Sequence, residues 1–216
     1  MTHEQTAHLY QQAGFAQWAT SPQHYPHPQV RTLGDGIEAG HASPVQVRPL
    51  RWHVDARGAL VELHRRSWHG GSWHSSTHTE DGAPRPGTVE QVYVSTTAEG
   101  VVKGWHLHAR QSDRFTVLRG AVLLALYDVR AHAQAVLLGS ELPPVREVLL
   151  HPERNAAQVV VPPGWAHGWL AMPSYGEAWV LNAVSHEYDG TDEWRRDAHA
   201  GPCLGKEYEW RRSRDG

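Results

Sequence analysis

Between residues 45 and 185 the chain is a succession of short apolar or alternating runs, rich in Val, Leu, Trp and Tyr, each cut off by glycine or proline. The runs fall at 45–52, 59–64, 90–95, 101–108, 114–127, 146–150, 157–161, 166–171 and 177–185. Segments this short and this regularly spaced predict strands, and so many of them predict an all-β sandwich or barrel. There is no alternation of helical and strand patterns of the kind that builds a parallel sheet, and no repeat of 20–50 residues that would mark a solenoid. At 216 residues the length suits one large β domain.

The flanks read differently. Residues 1–43 form an N-terminal extension, with Thr2–Trp18 predicted as a short helix, Thr2 and Gln5 in a capping-box relation, and Pro22, Pro26 and Pro28 ending it. Residues 44–188 make the barrel, interrupted by a long polar loop at 66–88. Residues 189–216 are a charged, Trp-bearing tail expected to pack on the barrel. A net charge of -3 and a pI near 6.6 leave no basic stripe for nucleic acid and no polybasic or acidic tail for a membrane surface. Cys203, the single cysteine, rules out an internal disulfide framework and suits a reducing cytoplasm. The N-terminus lacks signal-peptide features and no apolar stretch is of bilayer length, so a cytoplasmic location is expected. Among the 17 histidines, His24, His27, His41, His69, His74 and His78 lie in Pro-, Gly- or Ser-rich stretches and read as solvated loop residues.

Two segments carry chemistry. In Gly104-Trp105-His106-Leu107-His108 strand alternation turns Trp105 and Leu107 one way and both histidines the other. Asp113 and Gly120 follow. The second segment, Val161-Pro162-Pro163-Gly164-Trp165-Ala166-His167, is a buried-looking strand, a turn and a further histidine. The spacings H-x-H-x4-D-x6-G and P-x-G-x2-H, about fifty residues apart, resemble the two signature motifs of the cupin superfamily, with Asp113 where glutamate is usual. That resemblance implies a cupin barrel (a double-stranded β-helix, or jelly roll). It also implies a divalent ion held by His106, His108, Asp113 and His167, a donor set that suits Zn, Fe, Mn, Ni or Cu. The alternative is that these side chains line a polar pocket.

A narrower resemblance spans about residues 45–190. Asp55-Ala56-Arg57-Gly58 through Glu62 is similar to the D-x-R-G-x-x-x-E stretch of dTDP-4-dehydrorhamnose 3,5-epimerases, and Gln91-Val92-Tyr93-Val94-Ser95 to their Q-x-N-x-S. Gly100 to His106 resembles their G-V-x-R-G-L-H, and Val161 to Leu170 their I-P-x-G-F-A-H-G-F. The resemblance implies an enzyme acting on a dTDP-4-keto-6-deoxyhexose. His106 would be the general base, His167 with Arg114 would stabilise an enolate, Arg57 and Lys103 would hold the diphosphate, and Glu62 and Gln91 would bind substrate. It implies no required cofactor and a homodimer that exchanges N-terminal strands. Asp128-Val129-Arg130 is read as closing the barrel or bracing the pocket.

The departures are as informative as the matches. The family has glutamine where this chain has His108. Its catalytic tyrosine, in Y-K-x-T-[DN]-Y-Y, falls on Asn182, or on Val180 in an ungapped count. The aspartate that pairs with its base has only Asp215 as a counterpart. Tyr93, Tyr127 and Tyr175 are candidate replacement acids, not ranked by sequence. Trp165, in the turn before His167, is a candidate base-stacking residue. His106-Leu107-His108 to Phe115, with Ala183 to Asp197, is also similar to sugar-nucleotide 3,4-ketoisomerases, in which two histidines serve and no tyrosine is needed. Three readings stand: a nucleotide-sugar epimerase or isomerase, a metal-dependent cupin, and a non-catalytic sugar-binding cupin in which His106, His108 and His167 only line the pocket. The barrel hosts many chemistries and does not choose among them.

Overall fold

The computed structural model of the chain describes residues 19–20, 45–65, 68, 88–203 and 205–210. The expected helix at 2–18, the rest of the N-terminal extension, most of the 66–88 loop and Asp215 lie outside the described residues.

The alternating runs form strands that pair antiparallel into two sheets. β1 (Ala19–Thr20), β6 (Val102–Leu107), β8 (Val122–Asp128), β9 (Arg146–Leu150), β11 (Trp165–Ala171) and β13 (Trp194–Arg195) make a six-stranded sheet in the order β1-β13-β6-β11-β8-β9. β2 (Gln46–Pro49), β5 (Gln91–Thr97), β7 (Asp113–Arg119), β10 (Ala157–Val161) and β12 (Ala178–Val184) make a five-stranded sheet in the order β2-β10-β7-β12-β5. β3 (Trp52–Asp55) and β4 (Gly58–Val61) form a separate two-stranded hairpin. Among the described residues no helix is long and apolar enough to cross a membrane.

Three expectations change. The run at 114–127 is two strands, because Gly120 turns the chain with φ +71°, and a Cβ there would lie 2.8 Å from the Glu177 carbonyl oxygen. The run at 45–52 belongs to two sheets, β2 in the barrel and β3 in the hairpin. Between β8 and β9 the chain forms α1 (Val129–Leu138), where no helix was expected. Asp128, read as a pocket brace, is its N-cap: the carboxylate accepts from the backbone N–H groups of Arg130 and Ala131, and Gly139 closes the other end in a left-handed conformation.

Strand alternation divides the buried side chains into two cores. Phe115, Val117, Leu124, Leu126, Val159 and Val180 pack between the sheets. Trp105, Leu107, Ala125 and Tyr127 point outward from the six-stranded sheet, yet they are buried too, against Ala133 of α1 and against Trp194 and Cys203 of the tail. Tyr208 and Trp210 close over Trp105 with ring centroids 5.4 and 5.2 Å away. With its outer face sealed in this way, β6 must present His106 and His108 to the interior.

Candidate active site

The interior between the sheets is not filled at one end. It opens as a cavity of about 1150 Å³, lined by His106, His108 and His167 from one sheet and by Tyr93, Asp113 and Asn182 from the other. Its volume exceeds the usual range for drug-sized ligands and suits one as large as a sugar nucleotide. Close backbone approach brings the histidines together. A Cβ on Gly104 would sit 2.8 Å from Gly168 Cα, so β6 and β11 meet here only as glycines, and His106 and His167 become register partners. The Pro-Pro-Gly turn is tied to the first motif by Gly164 N–H donating to the His108 carbonyl at 2.8 Å. The His167 ring lies nearly parallel to the other two, at 17° and 28°, with centroids 6.0 Å from His106 and 5.7 Å from His108.

Hydrogen bonds assign the ring nitrogens. His108 Nδ1 lies 2.8 Å from the Asp192 carbonyl oxygen and His167 Nδ1 3.1 Å from that of Trp165. A carbonyl only accepts, so both Nδ1 atoms carry the proton. Burial, opposed in part by Asp113, lowers the His167 pKa to about 4, so at neutral pH its Nε2 is a bare lone pair. That atom is 3.7 Å from Asp113 Oδ2, and His108 Nε2 is 3.9 Å from the same oxygen. The aspartate therefore reaches the cluster despite its short side chain, with Oδ1 accepting from Gln111 and Asn182. His108, Asp113 and His167 place one donor atom each within 4.8 Å of one another. His106, the fourth member of the expected metal set, stands outside that group.

His106 instead bonds to a residue the sequence reading passed over. Its Nδ1 is 3.2 Å from Glu193 Oε1, and Arg195 holds the same carboxylate at 2.9 and 3.0 Å. Burial works against ionisation of Glu193, but the hydrogen bond and charge of His106, with Arg195, pull its pKa down to about 2. The carboxylate orients the ring and leaves Nε2 for the pocket. The tail is positioned by Asp192, whose buried side chain accepts from the backbone N–H groups of Ala109, Arg110 and Gln111. Glu193, Arg195 and Arg196 thus enter the cavity wall from a segment read only as a packing tail. Its match to the ketoisomerase pattern was the one available signal.

The expected substrate-binding residues divide. Lys103 and Gln91 line the cavity: Lys103 Nζ donates to Ser95 Oγ and the Thr96 carbonyl at 2.8 and 2.6 Å, and Gln91 accepts from Tyr188 N–H at 2.9 Å. Arg114, Arg57 and Glu62 do not line it. Arg114 alternates with Asp113 and Phe115, so it points to the other face of β7, where Nη1 donates to the Ala183 carbonyl. Arg57 sits at the tip of the β3–β4 hairpin, its side chain 90% exposed and paired with Asp55. Glu62 pairs with Arg65 just beyond that hairpin. Trp165 is buried under the Arg146 guanidinium, 5.3 Å from its ring centroid, and is not a stacking surface of this cavity.

Comparison with known proteins agrees with this architecture. Residues 45–199 match the family described as dTDP-4-dehydrorhamnose 3,5-epimerase. The probable low-salt glycan biosynthesis epimerase Agl13 of Haloferax volcanii is 29% identical over 149 residues, covering 68% of this chain and 81% of that protein. Among solved structures, the dTDP-4-dehydrorhamnose 3,5-epimerase of Elizabethkingia anophelis aligns with a TM-score of 0.56 at 20% identity, over 77% of this chain and 80% of its own. NovW, a 4-keto-6-deoxy sugar epimerase of Streptomyces spheroides, aligns at 0.55 and 22%, over 80% and 79%. At these identities the structural likeness speaks for the fold, and the family match for the chemistry. A cupin jelly roll with three histidines in its mouth and this match over most of its length belongs to the dTDP-4-dehydrorhamnose 3,5-epimerase family, the nucleotide-sugar epimerases and isomerases.

Proposed function

We propose that this enzyme inverts a carbon next to the ketone of a dTDP-4-keto-6-deoxyhexose, with His106 as the base that removes the proton. The observation that carries the reading is the Glu193–His106 pair: Nδ1 is committed to the carboxylate, and Nε2 is free to take a proton in the cavity. The C4 ketone acidifies the C–H bonds at C3 and C5, so an imidazole suffices as base. The ionised Glu193 stabilises the imidazolium that forms. With Arg114 turned away, Lys103, Arg195 and Arg196 are the lysine and arginines that line the cavity among the described residues, and they serve the diphosphate and the developing enolate charge. His167, bare at Nε2, neighbours the reaction as an acceptor. Proton transfer changes no oxidation state, so the chain's own acids and bases are enough.

The test is incubation of a dTDP-4-keto-6-deoxyhexose with the enzyme in D2O, followed by NMR. Deuterium at C3 or C5 with inverted configuration supports epimerisation. Exchange at C3 with a new 3-keto product would mean ketoisomerisation instead, and absence of any exchange would overturn both.

A second reading, a divalent metal in the same pocket, is favoured by one observation. Two imidazole nitrogens and a carboxylate oxygen converge, and both imidazoles hold their Nδ1 protons on backbone carbonyls, as metal-binding histidines do. His108, Asp113 and His167 fit an ion of the Zn, Fe, Mn or Ni class, which would polarise the substrate's carbonyl as a Lewis acid. Elemental analysis of untagged protein decides it: well under one equivalent per chain removes this reading.

We also infer a homodimer. A lone two-stranded hairpin is marginal in water, and β3–β4 leaves Val54 75% and Leu60 59% exposed. A second copy packing on the hairpin would cover them, and Arg57 at its tip would then meet a diphosphate in the partner's cavity.

A further inference from the structure

We propose that Tyr93 is the acid that returns the proton, from the face of the sugar opposite His106. The assignment rests on the epimerase reading of this cavity and names a residue within it.

Among the described residues five tyrosines compete, and their surroundings separate them. Tyr208 lies outside the cavity, its hydroxyl donating to Glu147 at 2.9 Å. The Tyr127 hydroxyl is sealed beneath α1, 2.7 Å from His132 Nδ1. Tyr175 lies outside the cavity, its hydroxyl accepting from Arg154 at 3.2 Å. Tyr188 lines the cavity, but its hydroxyl folds back over Gly190 of its own loop, 3.1 Å from where a Cβ on that glycine would stand. Tyr93 lines the cavity from β5, in the five-stranded sheet, whereas His106 lines it from β6, in the six-stranded sheet. A sugar ring held between the two sheets shows one face to the imidazole and the other to the phenol, as inversion requires.

The hydrogen bonding of Tyr93 is that of a donor in waiting. Asn182 Nδ2 donates to the Tyr93 hydroxyl oxygen at 2.9 Å, so the hydroxyl accepts there and keeps its own proton for another partner. Asn182 is itself held on both sides, Nδ2 donating to Asp113 and Oδ1 accepting from the Arg114 N–H at 2.9 Å. Burial and the negative charge of Asp113 raise the Tyr93 pKa, which keeps the phenol protonated at neutral pH.

The same pair accounts for two departures of the sequence at once. Tyr93 stands where the Q-x-N-x-S pattern has asparagine, and Asn182, rather than the Val180 of an ungapped count, is the better counterpart of the tyrosine in Y-K-x-T-[DN]-Y-Y. In the structure the two are directly opposite register partners on β5 and β12. On the Asn182 counterpart, tyrosine and asparagine have exchanged places across neighbouring strands, a move of about one strand spacing, roughly 4.8 Å. The step balances. His106 Nε2 takes the C–H proton while the electron pair passes into the enolate. The enolate carbon then takes the Tyr93 hydroxyl proton on its other face, leaving a phenolate that water reprotonates, while the imidazolium gives its proton to solvent.

The experiment compares wild type, Y93F, H106N and the double variant Y93F/N182Y on a dTDP-4-keto-6-deoxyhexose in D2O. Y93F is expected to keep deuterium exchange with retained configuration, because His106 still removes and returns a proton on its own face, while inverted product falls at least 100-fold. H106N is expected to lose both. Y93F/N182Y, with the phenol one strand over, is expected to regain at least tenfold of the inversion lost in Y93F. Inversion by Y93F within threefold of wild type overturns the assignment, as does loss of exchange together with inversion in a Y93F protein that still binds dTDP, since Tyr93 would then serve the deprotonation step. Wild type that neither exchanges nor inverts overturns the epimerase reading, and this assignment with it.

Discussion

Glu193 shows what a single residue does to this site. Its carboxylate bonds to the His106 ring and would offset the charge that ring acquires as the proposed base, whereas the amide of E193Q keeps a hydrogen-bonding oxygen without the charge. E193Q is therefore expected to lower kcat by at least about tenfold with KM nearly unchanged, since base catalysis is weakened and binding is not; steady-state kinetics would check this, and an unchanged kcat would remove Glu193 from the base's service. His167 gives a pH signature in stability. Its folded pKa is depressed from 6.5 to about 4, so between those values the unfolded state binds the extra proton. Stability is complete above about pH 6.5 and falls as pH drops toward 4, by about 3 kcal/mol. Urea unfolding at a series of pH values should show this slope in wild type and a flatter profile in H167Q. His106, His108, Asp113 and His167 were legible in the sequence because their spacing is set by strand alternation and tight turns. Glu193 was not, because its nearness to His106 depends on how a distant tail crosses a sheet.

Among elements, the β7–β8 turn and α1 mark where local pattern misled. Residues 114–127 read as one strand because apolar side chains continue through Gly120, yet only a left-handed residue with no Cβ lets the chain reverse there. Gly120→Ala combines an unfavourable φ with a contact of 2.8 Å to the Glu177 carbonyl, while Gly100→Ala has the same sign of φ (+75°) and nothing within 4 Å. The first is expected to cost about 2–3 kcal/mol and the second about 1, from denaturant midpoints; equal losses would show that φ alone matters. The signals for α1 were present in Asp128 and Gly139, a side-chain cap and a left-handed stop, but Asp128 was read as closing the barrel or bracing the pocket and Gly139 was not singled out. That helix and the tail bury the outward face of β6, and this burial settles that the histidines face the interior.

At the scale of the whole molecule, the exposed β3–β4 hairpin predicts association. V54D/L60D is expected to shift a dimer to monomer by light scattering without loss of β-sheet signal, and a wild-type monomer would refute the inference. An all-β barrel, the paired histidines and the family resemblance could be read from the sequence, because period-two alternation and glycine turns are local physics that each segment expresses by itself. Which face of β6 looks inward, that Arg114 and Arg57 stay out of this cavity, that Glu193 bonds to His106, and that Tyr93 and Asn182 oppose each other were decided by tertiary structure. Each of these depends on pairing between strands far apart in the chain, and no local pattern encodes which strand will lie beside which.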